Sequence, residues 1–417
     1  MGLVASAIFL WDFTRKTGNI IPIPELMVLL AALQWIVGPY IDYHNGTDHF
    51  KYRMYVPEEQ YMAFAVPTVI AFKAGLAFFP RKIYLSSIKE SIIRLLASHP
   101  TLPYLLVGIG LATPLFSQFF PPGLRFMFFL LGQVKYIGAL YFILSGHSHR
   151  WLIFTGLMVL SALGSIASGM FHDLLLWLVL TISFVFHEFK SGFWSKIVLM
   201  IIGGFFAITI QSVKQQYRNL SPGVPGNIAK AGLFIQLASN EWKGGTIINP
   251  VDENEINVRL NQGWIISKIM EHIPEKEPYA NGSTIIDAIG ASFLPRIIAP
   301  NKKIAGGQEN FRKYTGLPLG DGTSMGISLA GEGWANFGHG GGILFLFAWG
   351  LFIGWFWKKL SDWSNFFPTL LVWSPILFLQ TVKAETELIV VLNHLVKSSV
   401  LVFGLLYFFY RFRGIRI

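Results

Sequence analysis

Apolar residues along this chain neither alternate with polar ones nor keep to a single helical stripe. They come in runs of near 20 residues, separated by short polar and often basic links. Such runs predict membrane-spanning helices, because a helix rising 1.5 Å per residue needs about 20 residues to cross roughly 30 Å of hydrocarbon. Eleven spans are expected, over residues 1–11, 25–40, 61–79, 102–119, 124–144, 151–169, 171–187, 196–212, 338–357, 366–380 and 388–410. The first is short for a crossing. The tightly joined pair at 151–187 also fits a re-entrant arrangement. The expected fold class is an all-α polytopic membrane protein.

Composition supports this pattern. Hydrophobic residues make up 53% of the 417 and charged residues only 13%, too little charge to cover the surfaces of two or three soluble domains. The net charge of +10 does not mark a nucleic-acid surface, since most basic residues sit between apolar spans and not on one soluble face. Their distribution instead sets an orientation. Arg15, Lys16, Arg81, Lys82, Lys89, Arg94, Arg150, Lys190, Lys196, Lys358, Lys359, Arg411, Arg413 and Arg416 fall in alternate links, against only Asp12, Glu90, Glu188 and Asp362. The positive-inside rule then places the C-terminus in the cytoplasm and the N-terminus outside. The absence of cysteine excludes disulfides, thiolate nucleophiles and cysteine-held metal centres. No basic segment precedes the first apolar stretch, so a cleaved signal peptide is not expected.

The links are about 20 residues or shorter, with the exception of 213–337, which the orientation places on the outer face. Long connections of this kind are usually functional. Three regions follow: a membrane bundle over 1–212, an outer loop subdomain over 213–337 and C-terminal spans over 338–417. Within the loop, 227–242 reads as an amphipathic helix, 256–273 carries apolar residues in a helix-like pattern with Arg259 on or beside that face, and 283–298 reads as a short apolar helix interrupted at Pro295, so that a small helical cap is expected to rest on the membrane.

The densest polar stretch near a membrane boundary is 296–340. It contains Arg296, Lys302, Lys303, Tyr314, Ser324, Glu332, Asn336 and His339, with glycines at 331, 333, 338, 340, 341 and 342. Glycines there permit close backbone approach to a ligand or tight helix packing. A guanidinium in apolar surroundings needs an anion, so Arg296, Arg259 and Arg218 read either as phosphate ligands or as headgroup anchors and salt bridges. Lys73, Arg125 and Lys135 lie inside spans or at their mouths and suggest a path for an anionic substrate. Glu385 and Glu387 read with Lys383 as a local ion-pair set. His172 and Asp173 fall on the opposite side from His187 and Glu188, and His44, Asp48 and His49 have only composition in their favour, so no metal site is expected.

Residues 293–303, reading Phe-Leu-Pro-Arg-Ile-Ile-Ala-Pro-Asn-Lys-Lys, and Gly331-Glu332-Gly333-Trp334-Ala335-Asn336-Phe337-Gly338-His339-Gly340-Gly341 lead directly into a span. In these motifs, and in carrying them at the end of a long outer loop, the chain resembles the oligosaccharide repeat unit polymerases, the O-antigen polymerase-like membrane glycosyltransferases. Trp334 stands where that family more usually has Tyr, and Asn301-Lys302-Lys303 replaces a Lys-Pro. The related O-antigen ligases share the architecture but match these motifs less clearly.

The resemblance implies an architecture of the GT-C polymerase and ligase type in the bacterial inner membrane. It implies lengthening of an O-antigen or exopolysaccharide from undecaprenyl-diphosphate-linked oligosaccharide donor and acceptor, with no cofactor, nucleotide sugar or metal, and with a chain-length regulator and membrane lipids as partners. Arg296 and Arg259, with Arg218, would neutralise the departing pyrophosphate. Glu332 is the first choice for deprotonating or orienting the acceptor and His339 is its rival; the structural alternatives are a Glu332 acceptor tying the cap to the ninth span and a His339 hydrogen bond to a backbone carbonyl at the membrane entry. Lys303, Tyr314, Ser324, Asn336 and Lys135 complete the substrate-binding set. A ligase and a transporter of lipid-linked oligosaccharide or anions are the competing readings, the transporter lacking the internal repeat common in that class.

Overall fold

The computed structural model describes residues 1–45, 52–80, 82–169, 171–244, 260–294, 302–303, 306–320 and 323–417. In chain order the helices are α1 (Gly2–Lys16), α2 (Ile23–Asn45, with a π turn at Leu33–Val37), α3 (Glu58–Ala77), α4 (Leu85–Ser98), α5 (Leu102–Phe116), α6 (Pro122–Ser145), α7 (Arg150–Ser168) and α8 (His172–Phe189). They continue with α9 (Phe193–Leu220), α10 (Asn227–Gly244), α11 (Gly263–His272), α12 (Ser283–Phe293), α13 (Gln308–Thr315), α14 (Ser328–Trp363), α15 (Ser374–Phe378) and α16 (Leu388–Arg413).

Among the described residues, eight segments are long and apolar enough to cross a membrane: α2, α3, α5 with its extension to Phe119, α6, α7, α9, α14 and α16. The chain is therefore an all-helical polytopic membrane protein. Leu152, Val159 and Leu160 on α7 and Val198, Ile201 and Phe206 on α9 are exposed, as lipid-facing side chains are and as a water-soluble surface would not tolerate at this density. Three expected spans take other forms. Residues 1–11 belong to the 15-residue α1, and 171–187 form α8. Residues 366–380 are not one helix, because Pro368 and Pro375 interrupt it; a 3₁₀ turn at Leu370–Trp373 leads into the short α15, all of it buried.

The broken stretch nevertheless runs the height of the bundle. Glu332 near the start of α14 meets Leu388 at the start of α16, and Trp363 at the end of α14 stacks edge-on against Phe403. Beyond it, Phe366 packs on Tyr410. The two long helices are thus parallel, so 364–387 returns across their full length. Helix α3 is parallel to α14 as well, with Ala63 beside His339 and Phe79 beside Lys358.

At the end of the bundle away from Glu332, Glu188 accepts from Lys89 at 2.6 Å and Arg150 at 2.7 Å. These three residues, expected on one face, do meet there. At the other end, α11, α12 and α13 form the cap. Trp264, Ile266 and Ile269 of α11 are buried, and the Ala280 amide donates to the Ala335 carbonyl at 2.9 Å, seating the cap on the first turns of α14.

Candidate functional site

The cap meets the bundle at a buried polar junction. Helix α12 opens after the Asn281-Gly282 turn, where Gly282 has φ +88°, and this brings Thr284 in its first turn against α14. Thr284 Oγ1 donates to Glu332 Oε1 at 2.6 Å and accepts from Asn336 Nδ2 at 2.8 Å. Asn336, one helical turn beyond Glu332, also donates to the Glu332 carbonyl and accepts the Gly282 amide at 2.9 Å. The second carboxylate oxygen, Glu332 Oε2, accepts the Leu388 amide at 2.7 Å. That amide is one of the unpaired donors at the start of α16, where a negative charge is favoured. Glu332 is 1% exposed and both its oxygens are engaged, so one side chain fastens the cap, α14 and α16 together.

A second buried carboxylate adjoins it. Glu387 Oε2 accepts from Asn310 Nδ2 at 2.9 Å, and Asn310 Oδ1 accepts from Lys303 Nζ at 2.8 Å. Lys303 also lies 3.6 Å from Asp287 and 3.4 Å from Glu309. Burial pushes the Glu387 carboxyl up, opposed by the Asn310 hydrogen bond and the Lys303 charge. Burial likewise pushes the Tyr314 phenol up to about 12. For Glu387 the sign is that of a group holding its proton more tightly folded than unfolded. Its contribution is greatest below the ordinary carboxylate range, about pH 4.3, and is lost as pH rises through the raised value. The melting temperature of Glu387→Gln, measured against the parent, should therefore gain on it from about pH 4 to about pH 8. A constant difference across that range would show that ionising Glu387 carries no folding cost.

The structure collects part of the expected site. Glu332 and Asn336 belong to one network, Lys303 joins the Glu387 arm, and Tyr314 is buried near Ser283. Ser324 donates to the Gly306 carbonyl in the adjoining loop. Arg218 sits elsewhere, its Nε donating to the Gly169 carbonyl near a separate apolar cluster of Phe171, Val213, Tyr217 and Leu237. Lys135 is in mid-α6 against Gly110 of α5, with its ammonium 5.2 Å from the Tyr136 ring centre. Neither reaches the junction. Arg259 and Arg296 lie outside the described residues. Of the expected local ion-pair set, Glu385 acts on the Lys383 charge, while each residue also has a partner on another element: Glu385 accepts from Gln34, Glu387 from Asn310, and Lys383 lies 4.0 Å from Asp173.

Glu332 and His339, seven residues apart, would share a face on an unbroken helix. Gly338 breaks it, at φ +67° and ψ −158°, with the Tyr279 hydroxyl 2.9 Å from where a Cβ would sit. Glu332 is thereby buried and His339 exposed, with Nε2 3.2 Å from the Ala63 carbonyl and the ring 6.0 Å from Phe64. With Nε2–H donating to that carbonyl, Nδ1 is the nitrogen left to take a proton.

Thr284, Gly282 and Asn310 were not singled out from the sequence. Asn310 carried a signal, since α13 buries Asn310, Phe311, Tyr314 and Thr315 on one helical face. Among the described residues no group of three or more His, Asp or Glu is placed to hold a metal ion. Compared with known protein families, curated proteins and solved structures, the chain matches none of them.

Proposed function

We propose that the protein is a membrane glycosyltransferase that polymerises undecaprenyl-diphosphate-linked repeat units into a surface polysaccharide at the outer face of the bacterial inner membrane. The observation that carries this reading is the role of the Gly331–Gly341 run. The segment that resembles the repeat unit polymerases is also the one that locks the cap to the long helices, through buried Glu332 and Asn336, and turns His339 outward at its break. The topology that goes with it has eleven crossings, counting α1, α8 and the broken 366–380 stretch, with the N-terminus outside and the C-terminus inside.

In this reading an acceptor hydroxyl attacks the anomeric carbon of the donor as lipid diphosphate leaves. Arg296 and Arg259 balance the charge that develops on the leaving group. His339 Nδ1 is better placed than Glu332 to take the acceptor proton, because both Glu332 oxygens are already bonded. Glu332 is then a positioning residue that holds the cap over the reacting groups.

Purified protein incubated with lipid-linked repeat units in EDTA should yield a ladder of glycan lengths. A single transfer to a different acceptor would mean a ligase, and movement of labelled substrate across vesicles without a new bond would mean a transporter. His339→Ala should slow single turnover by about 10²- to 10⁴-fold with the melting temperature unchanged. Arg296→Ala should slow it more than Glu332→Gln at a temperature where both are folded; the reverse order would remove Arg296 from the leaving-group role.

A further inference from the structure

A cleft of about 170 Å³ lies at the end of the bundle opposite Glu332, between α1, α2, α3 and the far end of α14. Along α3 its Lys73 is ten residues beyond Ala63, the neighbour of His339, or about 15 Å further through the bundle. The volume is several times the roughly 30 Å³ of a water molecule. Its lining combines apolar walls, among them Phe9 and Trp357, with three lysines and two carboxylates.

The charges are unevenly satisfied. Lys16 Nζ holds both acids, 2.9 Å from Asp12 Oδ2 and 2.8 Å from Glu25 Oε1. Glu25 Oε2 is buried without a hydrogen-bond partner among the described residues. A buried carboxylate oxygen of that kind calls for a donor. Lys73 stands 4.0 Å from Asp12, a loose pairing, with its ammonium 4.4 Å from the Phe9 ring centre. Lys82 has no ion pair among the described residues. The cleft thus offers two under-used ammonium groups and one under-used carboxylate oxygen beside apolar walls.

We propose that this cleft binds a phospholipid whose headgroup carries both a phosphate and a primary amine, as phosphatidylethanolamine does. Lys73 and Lys82 take the phosphate, Glu25 Oε2 accepts from the amine, and the aromatic walls receive the start of the acyl chains. An anionic headgroup without an amine, such as phosphatidylglycerol, can donate only from neutral hydroxyls and brings no positive charge to Asp12 and Glu25. A quaternary amine has no N–H for Glu25. The site is distinct from the Glu332 junction and does not depend on the glycosyl-transfer reading.

The test is native mass spectrometry of the full-length protein, delipidated and then given equal amounts of phosphatidylethanolamine, phosphatidylglycerol and phosphatidylcholine with identical chains. The ethanolamine lipid should be retained over each of the others by about tenfold. Glu25→Gln should abolish the preference over phosphatidylcholine, and Lys82→Gln, which removes no ion pair, should weaken retention of all three. Glycerophosphoethanolamine, which has no chains, should fail to displace the lipid. Equal or better retention of phosphatidylglycerol, a preference that survives Glu25→Gln in protein still eluting as a single folded species, or displacement by the chainless headgroup would each overturn the proposal.

Discussion

Replacing Glu332 by alanine should lower the melting temperature of the detergent-solubilised protein more than any other single change at the cap junction. The substitution leaves the Leu388 amide and the Thr284 hydroxyl buried without their acceptor. Each stranded donor costs about 1–3 kcal/mol, against a total stability of about 5–15 kcal/mol for an ordinary domain. Glu332→Gln should fall between alanine and the parent. Its amide oxygen can accept from Thr284 or from Leu388, but the amide nitrogen then faces the other donor. A thermal series read by size-exclusion chromatography distinguishes the three proteins. If alanine and glutamine both melt with the parent, the carboxylate is not what fastens the cap to α14 and α16.

How much of this was legible in advance depended on the range of the interaction. Long apolar runs announce themselves because lipid solvation is decided residue by residue, and eight of them became helices long and apolar enough to cross a membrane among the described residues. The 366–380 run has the right composition, yet its path is set by Pro368 and Pro375, which mean hydropathy does not register. Within the site, Glu332 and Asn336 stood out as polar residues in a glycine-rich entry to a span. Their partners did not, since Thr284 lies 48 positions from Glu332 and Asn310 lies 77 from Glu387. Adjacency was only a partial guide. Lys383, Glu385 and Glu387 are neighbours in sequence, but the turn that carries them points each toward a different element. Arg218 lies apart from the junction, where its Nε donates to the Gly169 carbonyl.

The second large effect belongs to the crossing that carries Glu332 into the bundle. Helices α3 and α14 approach so closely that a Cβ on Gly75 would lie 2.3 Å from the Phe347 carbonyl oxygen, and one on Gly350 would lie 2.4 Å from that of Phe72. Gly354 repeats the contact at 2.8 Å from the Leu76 carbonyl. These are backbone atoms, which cannot rotate aside as a side chain does, so any larger residue must drive the helices apart along a shared length. Gly350→Val should therefore leave little monodisperse protein after solubilisation, and Gly350→Ala should already melt well below the parent. Gly404 on α16 supplies the contrast. A Cβ there meets nothing within 4 Å, and Gly404→Ala should hold or raise the melting temperature, since alanine is favoured over glycine in a helix by about 0.5–1 kcal/mol. Because α3 also supplies the Ala63 carbonyl beside His339, separating it from α14 should disturb the break at Gly338 and lower transfer even in protein that remains folded. Full activity in a folded Gly350→Ala protein would show that the position of His339 does not depend on this crossing.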